Sequence, residues 1–193
     1  MTLGRRDELL EAATDYVLEH GLVGLSLRPM AEALGTSDRM LLYHFGTKDD
    51  LVTAIMQTSH LRSLAHIGDL PAGDGIEGGV LALWEAVSSS IIAPCCRMYV
   101  EASALGLLGS EPYAAAVKEL NAEWMQALAD HLAASGIDAE RAAGVARIVD
   151  ATFMGLVLDQ PVEGADEQQK AVRDLAAAVA RIEGGGGARQ GRA

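Results

Sequence analysis

Apolar residues in the first fifty positions recur three and four apart and are cut repeatedly by glycine. Leu9, Leu10, Ala13, Tyr16 and Val17 form one stripe between Arg5 and His20, which predicts an amphipathic helix stopped by Gly21. Ser26 can cap a second helix with inner face Leu27, Met30, Ala31 and Leu34; Pro29 is tolerated because first-turn amides lack helical partners. Gly35 ends it. Ser37 can cap a third, Asp38 to Phe45, carrying Leu41, Leu42 and Phe45, and Gly46 closes it after little more than two turns. Thr47 opens a fourth, running to about Ile67, with Asp50 three residues on as a short capping box.

Gly68-Asp69-Leu70-Pro71-Ala72-Gly73-Asp74-Gly75 is the clearest loop. Longer, Ala-rich pieces follow it: Ile76 to Ala93, Pro94 to Leu108, Glu111 to Ala134, Ala139 to about Asp159, and Glu167 to Glu183. Asp138 can cap, Gly136 ends a helix, Pro94 and Pro112 suit first turns, and Asp166 with Gln169 repeats the capping-box pattern. The expected fold is therefore all-α, with about nine helices. Composition supplies a cause: 50% of the 193 residues are hydrophobic but only 4% aromatic. Ala, Leu, Val and Met carry that content with few β-branched runs, which favours helix over strand.

The remaining composition narrows the class. No apolar run is long enough to span a bilayer, and Met1 to Arg6 lead at once into acidic residues, unlike a signal peptide. A cytoplasmic protein with no membrane partner is expected. The two cysteines, adjacent as Cys95 and Cys96, make no disulfide framework, in keeping with a reducing compartment. They read as buried small hydrophobes, since neighbours on a helix point about 100° apart. The net charge of −12 argues against a generally basic, nucleic-acid-coating protein. It leaves room for a local contact surface.

Three short helices with Gly35-Thr36 as the tight turn between the second and third make a helix-turn-helix. Such a unit needs a rigid pair whose second helix projects its N-terminal side chains, because an α-helix fits the major groove. Leu27-Arg28-Pro29-Met30-Ala31-Glu32-Ala33-Leu34-Gly35, then Thr36-Ser37, Leu41-Leu42-Tyr43-His44-Phe45 and Thr47-Lys48-Asp49-Asp50-Leu51 resemble the tetracycline-repressor (TetR) family of bacterial regulators. The resemblance covers about Arg5 to Leu51.

That resemblance implies a DNA-binding domain over residues 1–47, a connecting helix over 48–67, and a ligand-binding and dimerisation domain over 76–183. It further implies a homodimer on a palindromic operator, repression, and release by a small-molecule inducer. Base-reading positions would be Ser37, Asp38, Arg39 and Met40, with Arg39 placed for a bidentate guanine contact. Phosphate-positioning roles would fall to Ser26, Thr36, Tyr43, His44 and Lys48, supported by Arg28. The sequence departs from the family pattern at Leu42, where a tyrosine is usual, and at Asp38, where a lysine is common. Asp38 repels phosphate but can accept from cytosine N4, so modest affinity with a clear base preference is expected.

In the body, Trp84, Met98, Tyr99, Leu105, Trp124, Met125, Phe153 and Met154 stand out among many alanines. Ordinary core explains any one of them, but together they suit an adaptable, apolar inducer cavity. The last two helices resemble the family's dimerisation pair: Ile148, Ala151, Thr152, Gly155 and Leu156 on one, Val172, Leu175, Ala176, Val179 and Ile182 on the other. After Glu183 the chain reads GGGGARQGRA, and residues 184–193 are expected to be a disordered tail. No nucleophile elbow, phosphate-cradling glycine loop or metal-ligand spacing appears, so no enzyme, cofactor or metal is expected. The first fifty residues hold five Lys/Arg against nine Asp/Glu, which motivates an alternative: a dimeric helical ligand-binding or adaptor protein with little DNA binding.

Overall fold

A computed structural model describes residues 4–187, and among them the chain forms nine helices and no strand. They are α1 (Arg5–His20), α2 (Leu27–Ala33), α3 (Asp38–Phe45), α4 (Lys48–Gly68), α5 (Gly75–Val87), α6 (Ala93–Leu107), α7 (Glu111–Ala134), α8 (Ala139–Asp159) and α9 (Ala165–Gly187). The expected all-α fold is the observed one. No described helix is long and apolar enough to cross a membrane.

Two helix ends differ clearly from expectation. The helix expected to reach Ala93 stops at Val87, and Ser88 to Ile92 form a turn. Three consecutive serines explain this, because their hydroxyls offer the backbone other partners: Ser89 Oγ accepts from the Ile92 amide at 3.2 Å. Leu42, a departure from the family pattern on α3, is 38% exposed, while Leu41 and Phe45 are the buried pair beneath so short a helix. α9 continues to Gly187, past the expected stop at Glu183, as extending a helix needs no new nucleus. The rest of the predicted tail, 188–193, lies outside the described residues.

The chain forms two compact units, residues 1–63 with 94–121, and residues 64–93 with 122 onward. The first joins the helix-turn-helix to α6 and the first half of α7, an arrangement that the linear division at residue 47 does not contain. Its cause is a shared core: Leu9, Val17, Met30, Leu41, Leu51 and Ile55 cluster with Met98 and Ala102 of α6 and Ala116 and Leu120 of α7. Chain passes between the units within α4, just after Ala93, and within α7, so α4 is not the sole connection.

In the second unit α5 packs against α9, and α8 against both. Val80, Leu83, Leu128, Leu132, Val149, Phe153, Val172 and Ala176 are buried. Each of the valine, leucine and phenylalanine side chains among them contributes roughly 1.5 to 3 kcal/mol on removal from water, before entropy is counted.

Candidate nucleic-acid interface

α2 and α3 pack on each other through a turn closed by backbone hydrogen bonds. The Thr36 amide donates to Ala31 O at 2.9 Å and the Gly35 amide to Glu32 O at 3.2 Å. Gly35 has φ +65°, the left-handed region that a side chain disfavours, and this lets the chain reverse within two residues. Ser37 then opens α3: its Oγ accepts from the Met40 amide at 3.2 Å. A partner for one otherwise orphaned amide is what fixes the start of this helix.

With the start fixed, helical period decides what faces where. Leu41 is fully buried and Phe45 is 8% exposed, so that side of α3 is anchored in the core. Arg39, Met40 and Tyr43 lie on the open side, Tyr43 at 78% exposure. Arg39 is exposed with no ion pair among the described residues. Asp38 turns back to accept from the Arg39 amide at 2.8 Å. The Tyr43 and His44 rings meet edge to face, centroids 5.2 Å apart, and His44 is half-buried.

The other expected contacts divide. Thr36 is half-buried in the turn, and Arg28 is exposed and paired with Glu32 at 3.2 Å. Ser26 occupies the N-cap of α2, but its hydroxyl makes no capping bond and is exposed. Lys48, expected to face phosphate, is half-buried, and its Nζ donates to Leu25 O in the α1–α2 connection. An ammonium has three N–H groups, so two remain for another partner. Asp50 accepts from the Thr47 amide at 2.9 Å and hydroxyl at 2.7 Å, while Thr47 Oγ1 accepts from the Asp50 amide at 3.1 Å. The expected capping box is thus formed, and the Thr47 hydroxyl holds the Asp50 carboxyl below its ordinary range.

Arg6 is an addition that sequence pattern missed. Its guanidinium stands 5.0 Å from the centroid of the Phe45 ring, at the end of α3, half-exposed. No local signal joins positions so far apart in sequence.

The expected ligand-pocket residues are not one group. Met98 is buried in the first unit's core and Leu105 packs against it, while the Tyr99 hydroxyl lies 3.3 Å from Asn121 Oδ1. In the second unit Trp84 and Phe153 pack at 5.1 Å between ring centroids, with Met125 and Met154 half-buried. Trp124 Nε1 donates to Asp150 Oδ1 at 2.8 Å, and burial raises that carboxyl above its ordinary range.

The expected dimer stripes also split. Leu156, Val172, Ala176 and Val179 are buried within their own chain. Ile148 and Ile182 are 56% and 57% exposed, and Ala151 and Gly155 are exposed too; Thr152 is half-buried. Ile148, Leu175, Val179 and Ile182 line an α8–α9 groove of about 400 Å³ with Gly144, Val145 and Ala178, and Glu140 and Arg141 also border it. Cys95 and Cys96 are both buried.

Residues 9–55 match the family model described as bacterial regulatory proteins, tetR family. A repressor from Corynebacterium glutamicum, the HTH-type transcriptional repressor AcnR, is 37% identical over 57 residues, 30% of this chain and 30% of that protein. The match thus spans under a third of that relative. A transcriptional regulator from a Rhodococcus species has the same fold with a TM-score of 0.74 at 20% identity, covering 91% of this chain and 95% of that one. A Saccharomonospora viridis structure, described as a transcriptional regulator in complex with choline, matches with a TM-score of 0.65 at 17% identity, over 88% and 93% of the two chains.

Proposed function

We propose, from the premise that this chain belongs through its N-terminal domain to the tetR family of bacterial regulatory proteins, that it is a ligand-responsive repressor of transcription. It binds a palindromic operator as a homodimer and is released by a small-molecule inducer. The presentation of α3 carries this reading: Ser37 closes its start, Leu41 and Phe45 anchor one side, and Arg39, Met40 and Tyr43 project from the other.

The roles follow from chemistry. Arg39 reads guanine through its two parallel N–H groups, Asp38 accepts from cytosine N4, and Met40 offers apolar contact to a thymine methyl. Ser37 holds the register of these three. Ser26, Thr36, Tyr43, His44 and the remaining Lys48 donors face phosphate, with Arg28 beside them. Repression is supported by the C. glutamicum relative, which is a repressor. A ligand role for the body is supported by the S. viridis protein, which holds choline. The inducer site we place among Trp84, Trp124, Met125, Phe153 and Met154, and its apolar lining favours an apolar ligand. The open α8–α9 groove supports an isologous dimer through Ile148, Leu175 and Ile182. A ligand releases DNA only if it binds one arrangement of the two DNA-binding domains better than another.

Footprinting on the DNA flanking its own gene, repeated across salt, tests the core of this. Protected half-sites related by a dyad are expected, with a log-log salt slope of about −0.9 per phosphate contacted. No protection at any salt would favour the alternative, a dimeric ligand-binding or adaptor protein, which the acidic first fifty residues motivate. A thermal-shift screen yielding only anionic, hydrophilic binders would overturn the apolar site.

A further inference from the structure

The α1–α2 connection, Gly21 to Ser26, is held from outside the helix-turn-helix. α1 ends with unpartnered carbonyls, as every helix does. Arg97 on α6 supplies donors there: its guanidinium donates to Leu18 O, with Glu19 O 3.4 Å away. One turn further along α6, the Glu101 carboxylate accepts from the backbone amides of Leu22 and of Val23, the latter at 3.0 Å. Arg97 and Glu101 stand 4.0 Å apart. The fit is close: Gly21 has φ +89°, and a Cβ added there would lie 3.1 Å from Glu101 Oε1. Across the connection, Lys48 of α4 takes Leu25 O.

We propose that Arg97 and Glu101 are positioning residues of the DNA-reading unit. Together α6 and α4 bond the backbone of the connection that feeds α2. α2 and α3 form a rigid pair, so the position of Leu22 and Val23 sets the angle at which α3 presents Arg39 and Met40. Readout needs that placement held to about 0.5 Å, and charge-assisted bonds from a partly buried carboxylate are suited to hold it. Neither side chain touches DNA; both act through the backbone of residues 18 to 23. The proposal rests on the DNA-binding reading above.

The test uses the full-length wild type, Glu101→Ala, Glu101→Gln and Arg97→Met, with a duplex that the wild type enriches from a randomised pool. Amide exchange without DNA reports the clamp itself. In Glu101→Ala the Leu22 and Val23 amides should exchange at least about tenfold faster, and affinity for the enriched duplex should fall by about tenfold, with part of the discrimination against its single-base variants lost as well. Glu101→Gln keeps one acceptor oxygen and should recover part of both losses; Arg97→Met should lose affinity alone. Should Glu101→Ala not fold, Glu101→Gln and Arg97→Met carry the comparison. Unchanged protection of Leu22 and Val23 would remove the clamp, and faster exchange with full affinity would remove its positioning role. A wild type that enriches no duplex would overturn the DNA-binding reading and the positioning role with it.

Discussion

Arg39 and Lys48 start from the same charge and are used differently. Arg39 stands exposed on α3 with no ion pair among the described residues, so little competes with a base for its guanidinium. Arg39→Ala should weaken discrimination at one operator position by about 1 to 3 kcal/mol, read by competition between the enriched duplex and its single-base variants. Unchanged preference would exclude Arg39 from base reading. Lys48 is tied by Nζ to Leu25 O, and this ties the start of α4 to the approach to α2. Lys48→Met should therefore lower the melting temperature and also flatten the salt slope by about 0.9, the share of one phosphate. A melting loss with no change of slope would make Lys48 a tether only. Arg39 could be placed from sequence because helical period and one serine cap fix its direction. The Leu25 tether and the Arg6–Phe45 contact could not, because each joins positions far apart in the chain through packing alone.

At the scale of elements, period and punctuation were enough for α1, α3, α7 and α8, whose bounds follow Gly21, Ser37, Gly136 and Asp138. They failed where local chemistry overrode the apolar pattern, at the serines after Val87, and where one helix had two apolar neighbours. α9 is the instructive case. Val172, Ala176 and Val179 belong to the same stripe as Leu175 and Ile182, yet they are buried inside their own chain. Period reports that a face is apolar, not which chain covers it. The proposed dimer is therefore tested by the outward residues. Ile148→Asp and Ile182→Asp should each convert the dimer to a folded monomer by light scattering at micromolar concentration, since a charge buried in an apolar interface lacks a partner. Val179→Asp should instead destabilise the fold. A wild type that is already monomeric would sink this arrangement.

At the scale of the molecule, what sequence order hid was which helices share a core. Met98 and Leu105 look like cavity residues in a list of large side chains, but they pack with the helix-turn-helix, and the proposed inducer site contracts to the second unit. That unit also holds a titratable group unlike the others. His131 is 7% exposed, and its Nε2 has no hydrogen-bond partner among the described residues. Ser135 Oγ donates to His131 O and accepts from the Gly73 amide, both at 2.9 Å, which closes α7 against the start of α5. Burial disfavours the imidazolium and lowers the His131 pKa below the ordinary 6.5, outweighing the opposing pull of the nearby Gly79 backbone, which is too poorly aligned to make a full hydrogen bond. The sign follows from linkage. Below pH 6.5 the unfolded chain takes up a proton that the folded chain refuses until a lower pH, so stability is full above 6.5 and is lost as pH falls toward the folded value. The melting temperature of the wild type should therefore drop between pH 7.5 and 5.5 more steeply than that of His131→Leu, which has no proton to take up. Carboxylates titrate alike in both chains, so the difference between the curves isolates this one imidazole. Parallel curves would mean that His131 is protonated as readily in the fold as in water.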